Sequence, residues 1–187
     1  MKQNRENPFF ETYRTPFGTP PFDQIETEQY EPAFDEGIWQ LDEEVRAIAD
    51  NTELPTFENT IIALERSGKL LDKVISAFFN VLNAEADDEM MDISQRVSPK
   101  LSESSNNIYL NEQLFARVKS VYDRKDELHL PMEDARLLEK TFEAFCARGA
   151  ALGPEEKEKY RKLSSELSLL SLTFDCLLYT SDAADEL

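Results

Sequence analysis

Apolar side chains return every three or four residues along most of this 187-residue chain, and no alternating run of strand length interrupts them. A chain patterned this way buries its apolar surface only as packed helices, so an all-α bundle is expected. After Thr27, Tyr30, Phe34, Ile38, Leu41, Val45 and Ile48 form one stripe with acids opposite, which predicts a helix from near Gln29 to near Asn51. Pro32 fits its first turn, where a missing amide hydrogen costs little. Gly37 and Trp39 read as packing features of that helix.

Pro55 halts the chain, and Thr56 is a suitable N-cap for a second helix. Phe57, Ile61, Leu64, Leu71, Val74, Phe78 and Leu82 give it an inner face about seven turns long. Asp87 and Asp88 suit the positive end of a third helix reaching about Asn106, with Met91, Ser94, Val97 and Leu101 inward. Pro99 is expected to bend or break it, and Ser102, Ser104 and Ser105 to mark its weakened end. Asn111 caps a fourth helix carrying Leu114, Phe115, Val118 and Tyr122. Pro131 opens a fifth, whose Leu138, Phe142, Phe145 and Cys146 share a face until Gly149, with Cys146 read as a small buried apolar residue. Gly153-Pro154-Glu155-Glu156 opens a sixth, with Tyr160, Leu163, Leu167, Leu170 and Phe174 at heptad-like spacing, too short for a coiled coil. No repeat of fixed length appears.

Residues 1–26 differ. Between Pro8 and Pro21 the density of Pro, Phe, Thr and Gly favours extended and turn backbone, so this part reads as an arm. Phe9, Phe10, Tyr13, Phe17 and Phe22 are too apolar for a free tail and are expected to lie along a groove of something larger. Residues 27–175 then form the helical body. Residues 176–187 break the pattern: Cys-Leu-Leu-Tyr-Thr-Ser back-translates into a string resembling a transposon-end adapter of sequencing libraries, and Asp-Ala-Ala-Asp-Glu resembles its continuation. Native sequence is therefore expected to stop near Asp175, inside an amphipathic helix without a stop signal of its own.

Composition bounds the function. The 41% hydrophobic content suffices for a core, and a net charge of -18, from 38 acids against 20 bases, argues against a phosphate-binding surface. Nucleic acid is not an expected partner. No apolar run of secretory or membrane-spanning length follows the N-terminus, so no membrane is expected and the cytoplasm is the expected location. Cys146 and Cys176 lie in neither a C-x-x-C pair nor a dense framework.

A catalytic zinc site needs three protein ligands, usually two histidines four apart on a helix with a glutamate beside the first. The one histidine, His129, lies in a connection between helices. Glu43-Glu44 belongs to the wet side of the first helix, while Asp87-Asp88 and Glu155-Glu156 begin predicted helices, where the dipole accounts for them without acid–base catalysis. No Ser or Cys stands in a nucleophile context with the one histidine, and the scattered Gly18, Gly37, Gly68, Gly149 and Gly153 form no phosphate-cradling loop. No residue is nominated as catalytic, cofactor-binding or metal-ligating.

Pro-Thr-Phe-Glu-Asn-Thr-Ile-Ile-Ala-Leu-Glu-Arg-Ser-Gly, Pro55 to Gly68, resembles an N-terminal helix start in the thimet oligopeptidase family of zinc metallopeptidases, which includes oligopeptidase A and peptidyl-dipeptidase. Other segments resemble the family in order: Thr19 to Ile25, Tyr30 to Phe34, Val97 to Leu101 and Asn107 to Phe115. Asn7-Pro8-Phe9-Phe10 favours the peptidyl-dipeptidase branch. The resemblance covers about Asn7 to Asp175 and implies part of the N-terminal lobe of a two-lobed helical metallopeptidase, walling a narrow channel. It implies zinc in the complete enzyme, polarising the scissile carbonyl and activating water beside a glutamate base, with all ligands beyond Asp175. The partners it implies are short peptides and the missing C-terminal catalytic half, and the fragment alone is expected to be inactive. A non-catalytic helical module that binds peptide or protein is the alternative, and a purely structural bundle a third.

Overall fold

A computed structural model describes residues 7–84 and 87–184 of the chain. It is 76% helical and contains no strand among the described residues, the all-α architecture that the period predicts. The helices are α1 (Tyr30–Ala49), α2 (Lys69–Ala84), α3 (Asp88–Tyr109), α4 (Glu112–Tyr122), α5 (Met132–Ala147) and α6 (Pro154–Ala184). They form two compact units: Met1–Trp39, Lys69–Ser102 and Leu163–Leu187 in the first, Gln40–Gly68 and Glu103–Lys162 in the second.

Aromatic rings organise the first unit. Phe9, Tyr30, Phe78 and Phe34 are all buried and follow one another with centroids 5.1 to 5.3 Å apart, the Tyr30–Phe78 and Phe34–Phe78 pairs edge-to-face. Edge-to-face packing sets the positive rim of one ring against the negative face of the next. Phe9 reaches this core from a 3-10 turn over Pro8–Phe10, which Asn7 fixes by accepting from the Phe9 amide at 3.1 Å and donating to the Gln29 carbonyl at 2.8 Å. Phe17 and Phe22, by contrast, are exposed. Gly37 sits where α1 meets α2, and a Cβ there would lie 3.0 Å from the Leu71 Cα.

The second unit packs Val45, Ile48, Ile61, Leu114, Val118, Val121, Leu138, Phe145 and Ala150 into one core. Asn111 caps α4, its Oδ1 accepting from the Leu114 amide at 2.9 Å. Helix α5 stops at Gly149, φ 87°, in a Schellman arrangement: the Ala150 amide donates to Phe145 O at 3.0 Å and the Gly149 amide to Cys146 O at 3.2 Å.

Several expectations are corrected. The long second helix is two segments. A π-helical turn over Phe57–Ile62 runs into Ala63–Glu65, and Gly68 then takes φ 75°, a left-handed conformation that ends the helix before α2 begins. The Gly68 amide donates to Glu44 Oε2 at 2.7 Å, so this break is held. Helix α3 runs unbroken through Pro99 to Tyr109, past the serines expected to end it; there Ser104 donates to Asp42 at 3.2 Å and Ser105 accepts from Arg148 at 3.2 Å. Its inner face is Met90, Ile93, Ser94 and Val97, with Met91 and Leu101 only half-buried. Trp39 is exposed. Cys146 is exposed too, because one helical step from buried Phe145 turns it to the far side. Leu163, Leu167, Leu170 and Phe174 of α6 are exposed. The junction expected at Asp175 falls within α6, and the side chains of the tail beyond it lie outside the described residues.

Gly37→Ala is expected to cost about 1–3 kcal/mol, because the atoms its methyl group would meet are Leu71 backbone and cannot rotate away. Urea denaturation measures it, and an unchanged midpoint would contradict the close approach.

Candidate functional site

Two helices each use a cation to hold an irregular segment, Arg117 in the second unit and Lys73 in the first. In the second unit, Arg117 lies on the buried face of α4 between Leu114 and Val121 and is only 7% exposed. Its Nη1 donates to the carbonyls of Asn51 at 2.6 Å and Glu53 at 3.0 Å, and its Nη2 to Asn59 Oδ1 at 3.1 Å and Thr60 Oγ1 at 3.4 Å. Its Nε is buried without a hydrogen-bond partner. Asn59 is shared: its Oδ1 also accepts from the Thr56 amide at 2.8 Å while Thr56 Oγ1 accepts from the Asn59 amide at 3.1 Å, a reciprocal helix start. Arg124 Nη2 adds a bond of 2.5 Å to the Pro55 carbonyl. The four terminal N–H groups of Arg117 are thus committed to neutral acceptors of its own chain, so the guanidinium offers no fork to a substrate carboxylate. What it does is hold a loop.

In the first unit, Lys73 of α2 holds the arm. Its Nζ donates to the carbonyls of Phe9 at 2.8 Å and Glu11 at 2.7 Å and lies 3.7 Å from the Tyr13 ring centroid. Burial lowers the Lys73 pKa, with the Glu11 charge opposing. Burial, and secondarily Tyr30, pushes the Tyr13 phenol up to about 12, and its hydroxyl is buried without a hydrogen-bond partner. An open groove of about 480 Å³ lies beside it, lined by Glu11, Tyr13, Arg14 and Gln24 among others. A second groove, of about 410 Å³, includes His129 with Lys125, Asp126, Arg136 and Glu139.

His129 is exposed at φ 47° in the turn between α4 and α5. A general base must be oriented by a second group, and no hydrogen bond to this imidazole is present among the described residues. The carboxylate pairs go to backbone amides instead: Asp87 accepts from Met90 at 2.7 Å and Glu156 from Gly153 at 3.0 Å, both at helix starts. Among the described residues no group of three His, Cys, Asp or Glu side chains is placed to hold a metal ion. The described residues thus bring together no set of the three ligands that a zinc centre needs.

Arg117 is buried and Lys73 half-buried, and a third cation, Lys157, is 8% exposed and donates to the Leu110 carbonyl at 3.4 Å and Glu112 Oε1 at 3.0 Å; none of them is nominated from the sequence. For Arg117 a signal existed: a lone cation three residues after Leu114 and four before Val121, on a stripe where helical period demands an apolar side chain.

No family model matches the chain. It is 43% identical over 169 residues to the dipeptidyl carboxypeptidase of Escherichia coli, a match covering 90% of this chain and 25% of that protein. It is 38% identical over 178 residues to the dipeptidyl carboxypeptidase of Salmonella typhimurium, covering 95% and 26%. The thimet-like oligopeptidase of Dictyostelium discoideum is 27% identical over 151 residues, covering 79% and 22%. The chain belongs to the thimet oligopeptidase family. It spans about a quarter of the length of the curated relatives it matches and fits an N-terminal fragment of such a peptidase. The segment from Pro55 to Gly68, which carried the resemblance in the sequence, is held from outside by Arg117, Arg124 and Glu44.

The two polar clusters are tested by one titration and one denaturation. Tyr13 should ionise near pH 12, not near 10, and Tyr13→Phe should remove that late step from the ultraviolet absorbance titration. The raised pKa favours the neutral phenol in the folded state, so its contribution is complete below pH 10 and is lost as pH rises through 12. Arg117→Lys is expected to cost about 2–3 kcal/mol in urea denaturation, because an ammonium cannot span acceptors on both the loop and the π turn; wild-type stability would overturn the clasp.

Proposed function

We propose that this chain is the N-terminal, channel-wall portion of a zinc metallopeptidase that hydrolyses short oligopeptides. The observation that carries this reading is the 43% identity to a dipeptidyl carboxypeptidase across 90% of the chain. Packed helices suit a wall: they are rigid, and a rigid boundary admits an extended peptide while rejecting a folded protein by size. The wall contributes selectivity and does not break the bond.

The zinc ligands and general base would come from outside these 187 residues, as would the rest of the channel. On its own the chain would be inactive, and its partners in the complete enzyme would be short peptides and the remaining catalytic part of the same polypeptide. The cytoplasm is the proposed location. Among the described residues no helix is long and apolar enough to cross a membrane.

The test is a chimera in which this chain replaces the matching N-terminal quarter of the Escherichia coli dipeptidyl carboxypeptidase. It should release C-terminal dipeptides from short peptides and leave folded proteins intact, while the 187-residue chain alone releases nothing above background. Hydrolysis by the isolated chain, or a folded chimera that binds peptide without cleaving it, would favour the binding-module alternative.

A further inference from the structure

Helix α6 carries Leu163, Leu167, Leu170 and Phe174 in a 4-3-4 spacing, which places them in a single stripe along the helix. Each is between 60% and 66% exposed. By helical period Ser164 and Ser171 border the stripe on one side, and Leu169, 44% exposed, falls away from it on another face of the helix. A 4-3-4 seam is the complement of another helix patterned in the same way.

We infer that this seam is the docking line for an amphipathic helix in the rest of the longer peptidase polypeptide. The inference rests on the proposal that the chain is part of such an enzyme. A match over 178 of 187 residues necessarily includes Leu163 to Phe174, so the seam lies within family sequence; that relative has about three quarters of its length beyond the match. A second copy of this chain is disfavoured on two grounds. Its net charge of -18 would repel it, and four side chains offer on the order of 500 Å², short of the ~800 Å² per partner of a stable bimolecular interface. A segment of the same polypeptide needs less area, because tethering supplies a high effective concentration.

Thiol labelling tests the seam without relying on activity. Leu167→Cys is introduced, in a Cys146→Ser, Cys176→Ser background, into the isolated chain and into the chimera described above, with Glu158→Cys on the other side of α6 as the control. Labelling at each site is read by peptide mass mapping. Leu167→Cys should react about tenfold more slowly, or slower still, in the chimera, as expected for a side chain that must leave a packed interface to react, while Glu158→Cys keeps its rate. Equal Leu167→Cys rates in chain and chimera would overturn the seam, and peptide hydrolysis by that same chimera would leave the peptidase reading standing. Protection in the isolated chain that grows with its concentration would assign the seam to a second copy and overturn the proposal. An inactive chimera that still protects Leu167→Cys would support docking while counting against the proposed activity.

Discussion

A guanidinium buried without a carboxylate fixes the second unit of this protein. Taking a cation out of water costs several kcal/mol, and here the cost is offset only by hydrogen bonds to neutral oxygens, so those oxygens must be held in place. Arg117 meets that demand with four acceptors from Asn51, Glu53, Asn59 and Thr60, on either side of Pro55. The planar fork explains why the residue is arginine: one rigid group bonds to the loop through Nη1 and to the π turn through Nη2. Because Asn59 Oδ1 serves both this fork and the Thr56 cap, loop and helix start form one unit with shared atoms. Losing any member strands the others.

The same interaction accounts for the shape of the Pro55 to Gly68 block. A π turn spaces its backbone differently from an α turn, and such turns persist where a side chain or function over-determines them. Thr60 and Ile61, both buried, are drawn to Arg117 and to the core respectively, while Gly68 closes the segment with a left-handed residue anchored on Glu44. The first unit solves a milder version of the same problem. Lys73 keeps its ammonium on two arm carbonyls and the Tyr13 face, tying an irregular segment to a regular helix through one cation.

How far the fold could be read from the sequence follows from what periodicity reports. It gives the face of a helix, so α1 and α4 were legible, as were the caps at Asn111 for α4 and at Thr56 for the Phe57–Ile62 turn. It does not report whether the backbone is continuous between two stretches in phase. Leu64 and Leu71 are seven residues apart, within about 20° of two full turns, so the stripe carries across Gly68 as if no break existed. Pro99 misleads in the opposite direction, since the one hydrogen bond it removes is outweighed by Val97 and its neighbours packing inward. Cys146 fails by a single step of the helix. The buried cations are the deeper omission: a charged residue is assigned to water by default, and only the tertiary fold brings Asn51 and Glu53 to Arg117 across more than sixty positions.

These features explain why the chain discloses its family without disclosing a site. The segment whose pattern names the family is engaged by Arg117, Arg124 and Glu44, and each contact satisfies a backbone or side-chain group of the block itself. Such a sequence is constrained by a packing problem, because few residue sets can surround a buried cation with neutral acceptors and still begin a helix. Reaction chemistry requires the opposite condition, polar groups left uncommitted and facing a substrate, whereas the Arg117 and Lys73 groups are engaged by the chain's own backbone and side chains.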